Sequence, residues 1–344
     1  MIIDKFNTDE KVFIIAELSA NHGHDIEIAK QTIKAAKESG ADAIKVQTYT
    51  ADTMTIDCDN DYFKLDSGTI WDGRTLYDLY SEAYTPWEWH RELMEYANSL
   101  DLIFFSSPFD KTAVDFLEDL NVPVYKVASF EIMDIPLIEY IASKNKPVII
   151  STGIADISDI NEAVNACRRM GNNDIFLLKC TSSYPAKIED ANLETLKNMQ
   201  ETFNVEVGLS DHTMGPVAPV VSVALGARLI EKHFILDKTI GGPDASFSLE
   251  PHEFKEMVNL VRDAEQSLGN IDYSMSETKK SNRKIGRSLF IVQDVKAGEE
   301  LTEANVRSIR PGHGLPPKHF KEILGKKAIV DIKRGTPLTW SVFK

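Results

Sequence analysis

Short apolar, β-branched runs recur along the first two-thirds of the chain. They are VFIIAEL from Val12, AIKVQT from Ala43, LIFFSS from Leu102, VYKVAS from Val124, PVIIST from Pro147, IFLLKCTS from Ile175, VEVGLSD from Val205 and RLIEKHF from Arg228. These predict eight strands at a mean spacing of about 30 residues, the length of one strand–helix unit. Between them lie amphipathic segments, IEIAKQTIKAAKES, EWHRELMEYANSL, INEAVNACRRM and LETLKNMQETF, with apolar residues at three- and four-residue intervals and charge on the other face. EPHEFKEMVNLVRDAEQSL predicts a final helix, and Gly40, Gly171, Gly226 and Gly269 follow helical stretches as C-terminal caps would. Eight alternating units point to a closed α/β barrel, a (β/α)8 TIM barrel, over an open doubly wound sheet. No GxGxxG follows the first strand, which lowers the dinucleotide-binding alternative further.

The periodic pattern dissolves between Ser267 and Lys284 into NIDYSMSETKKSNRK and its neighbours. RSLFIVQDVKAGEEL, NVRSIRPGHGLPP and KKAIVDIKRGTPLTW then read as short strands and turns, with one brief helix near HFKEIL. The expected organisation is a barrel over 1–270, a linker over 271–284 and a small β-rich domain over 285–344. A domain that small has little core of its own and is expected to lean on the barrel or on a partner chain.

Composition sharpens this picture. Of 344 residues, 43% are hydrophobic and 26% charged, as in a soluble globular protein. Cys58, Cys167 and Cys180 are widely spaced, with no CxxC or Cys/His pattern, which suits a reducing compartment and argues against structural zinc. The N-terminus lacks the features of a signal peptide, and no apolar run approaches the ~20 residues of a membrane helix, so a cytoplasmic location is expected. The net charge of −15 makes nucleic acid an unsuitable partner. An acidic protein that binds a small anion must concentrate its cations in one cleft, so inward-pointing lysines and histidines matter here.

In a TIM barrel the chemistry sits at the C-terminal ends of the strands. Those ends carry Glu17, Ser19, Asn21 and His22; Lys45 and Gln47; Ser106 and Ser107; Lys126, Ser129 and Glu131. The later ends carry Ser151, Thr152 and Gly153; Lys179, Thr181, Ser182 and Tyr184; Ser210, Asp211, His212 and Thr213; Glu231 and His233, with Asp244 in the loop beyond. Lys and Glu within an apolar strand are costly unless paired or bound to a ligand. Barrels do hold structural Lys–Glu pairs, but several such residues at one end favour a site. Lys45 and Lys126, with Ser107, Ser129, Ser151 and Ser210, suggest a cradle for phosphate and carboxylate. A lone histidine is usually structural; His212 and His233, at matching depths on neighbouring strands, could place two neutral nitrogens on a divalent ion that keeps open positions. Glu17 is expected opposite them, able to orient water or move a proton.

Several segments together resemble the sialic acid synthase family: IAELSANHGH, ADAIKVQTY, FFSSPFD, VPVYKVASFEI, KPVIISTG, GLSDHT, LIEKHF and GGPDASFSL. NVRSIRPGHGL and GKKAIVDIKRGTPLT are similar to that family's antifreeze-like (SAF) domain, so the resemblance spans nearly the whole chain. The phrases ELSANH, TYTADTMT and GRTLYDLYSEAYTPWEWH look most like the branch that makes pseudaminic acid. What this implies is a transferase that condenses phosphoenolpyruvate with an amino-sugar aldehyde, here 2,4-diacetamido-2,4,6-trideoxy-L-altrose.

The resemblance also implies roles by position. His212 and His233 would hold a divalent metal, manganese before cobalt or magnesium. Lys45, Ser107, Lys126, Ser129, Ser151 and Ser210 would hold phosphoenolpyruvate, with Gln47 beside them and Glu17 near the metal-bound water. Glu131, Tyr184 and Asp244 would contact the sugar. Arg310, in the IRPGHG turn, would reach the barrel of another subunit in a domain-swapped homodimer. Two departures stand out: the family's Asn-His-Asn/Glu-Gly run is here Asn21-His22-Gly23-His24, and Ser182 stands where sialic acid synthases tend to have Asn. The rival readings are an N-acetylneuraminic or legionaminic acid synthase, a related metal-dependent condensing enzyme, a Schiff-base aldolase using Lys126 or Lys179, and a non-catalytic sugar-binding protein.

Overall fold

Each of the eight apolar runs forms a strand, and the eight close on one another. In the computed structural model, which describes residues 1–65 and 71–344, they are β1 (Phe13–Glu17), β2 (Ala43–Thr48), β3 (Ile103–Pro108), β4 (Tyr125–Val127), β5 (Val148–Ser151), β6 (Ile175–Cys180), β7 (Glu206–Asp211) and β8 (Leu229–His233). All pairings are parallel, and β8 returns to pair with β1. Strands covered on both faces need apolar side chains on both, which is why these segments read as continuous runs rather than alternations.

The barrel helices are α1 (Ile26–Glu38), α2 (His90–Ser99), α3 (Lys111–Asp119), α4 (Ile135–Ala142), α5 (Ile157–Arg169), α6 (Thr195–Phe203), α7 (Val217–Ala224) and α8 (Pro251–Leu268). Several start on an aspartate N-cap: Asp25, Asp110, Asp134 and Asp156 each accept a backbone N–H of the first turn. In α8 the start is a Glu250–Glu253 capping box with Pro251 in the first turn. One stripe of each helix is buried, Ala29, Ile33 and Ala36 on α1 and Phe254, Met257, Val258 and Val261 on α8. Gly40, Gly171, Gly226 and Gly269 all take positive φ at helix ends, as their positions suggested. The connection after β2 is longer than the others and holds two further helices, Ala51–Met54 and Leu76–Ala83.

Strand register divides the barrel interior by height. Phe13, Phe105, Ile149, Phe176 and Leu229 are fully buried and apolar. Above them, toward the strand C-termini, the inward positions turn polar: Glu17 pairs in register with Lys45 and with His233, Gln47 with Ser107, and Ser210 with Glu231 and Cys180. The barrel is thus packed at one end and chemically equipped at the other.

The chain divides into two compact units, Met1–Gly269 and Asn270–Lys344. In the second, β9 (Ser288–Ile291) and β10 (Val306–Ile309) form an antiparallel pair, and single bridges tie Val295 to Ile332 and Ala328 to Phe343. Its core is built on Leu289, Ile291, Leu301, Val306, Ile323 and Leu338. The stretch expected to be a linker contains a helix, α9 (Glu277–Arg283), capped by Ser276 and braced by a 2.7 Å Lys280–Glu277 pair. Every residue of α9 is exposed, so no apolar periodicity marks it. Among the described residues no helix is long and apolar enough to cross a membrane.

Candidate active site

At the centre of the barrel mouth two lysines and two glutamates lie within reach of one another. Lys45 Nζ is 2.7 Å from Glu17 Oε2 and 3.8 Å from Glu231 Oε2, and donates to Ser107 Oγ at 3.2 Å. Lys126 Nζ donates to Ser151 Oγ at 2.7 Å and to the Val127 carbonyl at 3.1 Å, with Glu231 Oε1 3.8 Å away. Ser210 Oγ donates to Glu231 Oε1 at 3.1 Å. All four charged groups are at most 6% exposed. Burial opposes charge on each of them; for Lys45 the two glutamates outweigh it and raise its pKa, whereas Lys126 stays lowered, only partly offset by Glu231. Burial, with the Glu231 charge nearby, pushes Glu17 up against the pull of Lys45, while the lysines overcome burial to hold Glu231 down. Glu231, which received no role from the sequence, therefore bridges both lysines. Its place on the same strand face as His233 follows from period-two alternation along LIEKHF.

The imidazoles stand beside this cluster. His212 and His233 have ring centroids 5.3 Å apart. Glu17 is not across the mouth from them, as expected, but next to them: closure of the barrel puts β1 against β8 and makes Glu17 the direct register partner of His233. Burial holds both rings neutral, His212 pushed down to about 4 and His233 well below its usual range. The Nδ1–H of His212 donates to the Thr181 carbonyl at 3.1 Å, leaving the Nε2 lone pair free. Nδ1 of His233 is buried without a hydrogen-bond partner, with Asp244 Oδ2 3.8 Å away. Neutral rings, one tautomer fixed by a carbonyl and one nitrogen left unsatisfied, fit the donor half of an open divalent-metal site. No cage of three or more His, Cys, Asp or Glu side chains accompanies them among the described residues.

The outer ring is more aromatic. Tyr184 packs its ring 4.5 Å from His212, and Phe247 lies 5.2 Å from Tyr184 and 4.9 Å from His233. Asp244 accepts from Ser19 Oγ at 2.5 Å, and Gln47 Nε2 donates to Glu17 at 3.0 Å and to Ser19 at 2.9 Å. Ser129 Oγ accepts from the Ile154 N–H and from Ser182 Oγ, and a Cβ on Gly153 would come within 2.1 Å of Ser182 Oγ and 2.7 Å of Ser129 Oγ. Only glycine lets the β5 turn approach those hydroxyls. Glu131 keeps one buried carboxylate oxygen without a partner and is pushed up to about 7 by burial, against the pull of Lys126. Arg310 lies in the other unit, exposed, beside a cis bond to Pro311.

Not every polar strand-end residue joins this mouth. By alternation Ser106, Lys179 and Asp211 face outward; Ser106 meets Thr48 at 2.6 Å, and Lys179 donates to Cys180 O and Thr181 Oγ1. His22 and His24 also turn away. Nδ1 of His22 accepts from the His24 N–H, its Nε2 reaches Thr85, and His24 Nε2 meets the Glu82 carbonyl at 2.6 Å. Gly23 and His24 both take positive φ, +53° and +52°. The altered loop thus ties β1 to the long connection after β2.

A family model described as the NeuB family matches residues 32–273, and an SAF-domain model matches residues 286–344. The chain is 50% identical to a pseudaminic acid synthase of Campylobacter jejuni, over all of both chains. It is 49% identical to a pseudaminic acid synthase of Helicobacter pylori, over 95% of this chain and 96% of that one. Among solved structures it resembles the spore coat polysaccharide biosynthesis protein SpsE of Bacillus subtilis, at 34% identity and a TM-score of 0.68, covering 100% of this chain and 99% of the other.

Proposed function

The chain belongs to the NeuB family, and from that premise we propose that it makes pseudaminic acid. The reaction joins phosphoenolpyruvate to 2,4-diacetamido-2,4,6-trideoxy-L-altrose and water, releasing phosphate. The observation that carries this reading is the meeting of Lys45 and Lys126 with two neutral imidazoles in one barrel mouth. The activity of the Campylobacter and Helicobacter relatives supports the choice of sugar.

Lys45 and Lys126 hold the carboxylate and phosphate of phosphoenolpyruvate, with Ser107, Ser129, Ser151 and Ser210 donating hydrogen bonds. In the free site Glu17 and Glu231 neutralise these ammonium groups; the substrate's charges take over that contact. His212 and His233 would hold a divalent ion, manganese before cobalt or magnesium, which supplies Lewis-acid polarisation of a carbonyl when bound. Glu131, Tyr184 and Asp244 orient the sugar, so that its aldehyde carbon faces the enol carbon. Alignment of two small reactants accounts for much of the rate gain, and preorganised lysine charge for much of the rest.

The enol carbon bonds to the aldehyde carbon, and water adds to the carbon that bears the phosphate while Glu17, held by Gln47, takes one of its protons and returns it to the former aldehyde oxygen, which becomes a hydroxyl. The carbon–oxygen bond of this adduct then breaks, phosphate leaves with the bridging oxygen and the proton of the added hydroxyl, and a ketone remains. Phosphoenolpyruvate labelled with oxygen-18 at the bridging position should therefore deliver the label to phosphate. Label retained in the sugar acid contradicts the scheme.

The proposal extends to a cytoplasmic homodimer in which Arg310 of one copy reaches the sugar in the barrel of the other. The three cysteines are free, which suits a reducing compartment. Phe130 and Met133, after β4, and Ile154 and Ile157, after β5, are 40–63% exposed, an apolar rim that a second copy would cover.

A further inference from the structure

Behind the two imidazoles, on the outer face of the barrel, lies an ion pair that the reaction scheme does not use. Lys232 is fully buried and Asp211 is 4% exposed. They are cross-strand register partners on β8 and β7, with Lys232 Nζ 2.5 Å from Asp211 Oδ2. Each immediately precedes one of the histidines in sequence. Alternation therefore turns the pair outward and the imidazoles inward from the same two strand ends.

The pair is tied to the backbone around His212 on both sides. Asp211 Oδ1 accepts the Thr213 N–H at 3.0 Å, and Lys232 Nζ donates to the Thr213 carbonyl. One ammonium thus links the residue before His212, the residue after it and the residue before His233. A surface pair would hold nothing so firmly, but a buried one has no water to exchange with. Where two donor rings must present lone pairs to one ion, an error of about 1 Å in either strand end is costly.

We propose that Asp211 and Lys232 are positioning residues that hold the two imidazoles at a common depth for a divalent cation. This rests on the reading of His212 and His233 as metal donors, and the test separates the two. Mn2+ alone is titrated into the full-length protein, with free ion read by electron paramagnetic resonance, for the parent and for His233→Ala. Loss of binding in His233→Ala is expected; binding that survives it sinks the metal reading and takes this proposal with it.

The charge-free variant Asp211→Asn/Lys232→Met is then compared. Asn keeps an acceptor for Thr213, and replacing both charges avoids leaving one of them buried alone. Near-parental melting with Mn2+ affinity weakened about tenfold or more is expected; affinity within twofold of the parent overturns the proposal. If that variant does not fold, Asp211→Asn alone is read by the same criterion. Phe254→Ala, a core change on α8, serves as the destabilised control and should keep parental affinity. Equal weakening there would reduce the pair to a general structural role and overturn the proposal.

Discussion

Lys126 is the residue whose removal should separate binding charge from scaffold. Its ammonium is buried, reaches Ser151, and is shared with Glu231. Lys126→Met should leave the barrel folded and lower kcat/KM for phosphoenolpyruvate by about 100-fold, from a loss on the order of 3 kcal/mol of charge stabilisation. Steady-state kinetics check this, and a change below fivefold contradicts the cradle. A second residue-scale effect concerns acid. Burial pushes His22 and His90 down to about 4, so both are neutral in the fold and protonate more readily once unfolded. Because their folded values are depressed, the stability they contribute is present above about 6.5 and is lost as pH falls toward 4, on the order of 3 kcal/mol for each. Denaturant melts at stepped pH should show that decline, and His90→Gln should make it shallower; an identical slope in the variant removes His90 as a cause.

Among the elements, α8 closes the barrel where the last strand meets the first. Phe254 is fully buried, with its ring 5.1 Å from that of Phe234. Phe254→Ala should cost about 3–5 kcal/mol by chemical denaturation while leaving the Michaelis constants of the folded fraction unchanged. It is also at this scale that the sequence was most readable. Runs such as VFIIAEL and IFLLKCTS are apolar throughout because both strand faces are covered, so the strands could be counted directly. What a count of strand-end residues could not do was sort them by face. Lys179 and Asp211 stand beside Cys180 and His212 in sequence yet point the opposite way, and Glu17 sat beside the histidines because closure joins the first strand to the last. Helix α9 has capping residues and charge pairs but no buried stripe, so no apolar period marks it in the sequence.

At the scale of the whole molecule, the proposed assembly makes Arg310 a contributor to a site it does not share a unit with. Arg310→Ala should raise the Michaelis constant for the sugar at least about tenfold, the worth of one charge-assisted hydrogen bond, and leave that for phosphoenolpyruvate within twofold. Mixing it with Lys126→Met, under conditions that exchange subunits, should give more activity at subsaturating sugar than the two variants show separately. An unaltered sugar constant or a mixture no better than its parts counts against a shared site. The wider claim is that this barrel mouth joins one particular amino sugar to phosphoenolpyruvate. Phosphate release should be measured with manganese-loaded protein and phosphoenolpyruvate against 2,4-diacetamido-2,4,6-trideoxy-L-altrose, N-acetylmannosamine and the legionaminic precursor in parallel. The altrose derivative should win by a wide margin and release should stop when the metal is chelated; comparable rates with N-acetylmannosamine, or no release with any of the three, contradict the account.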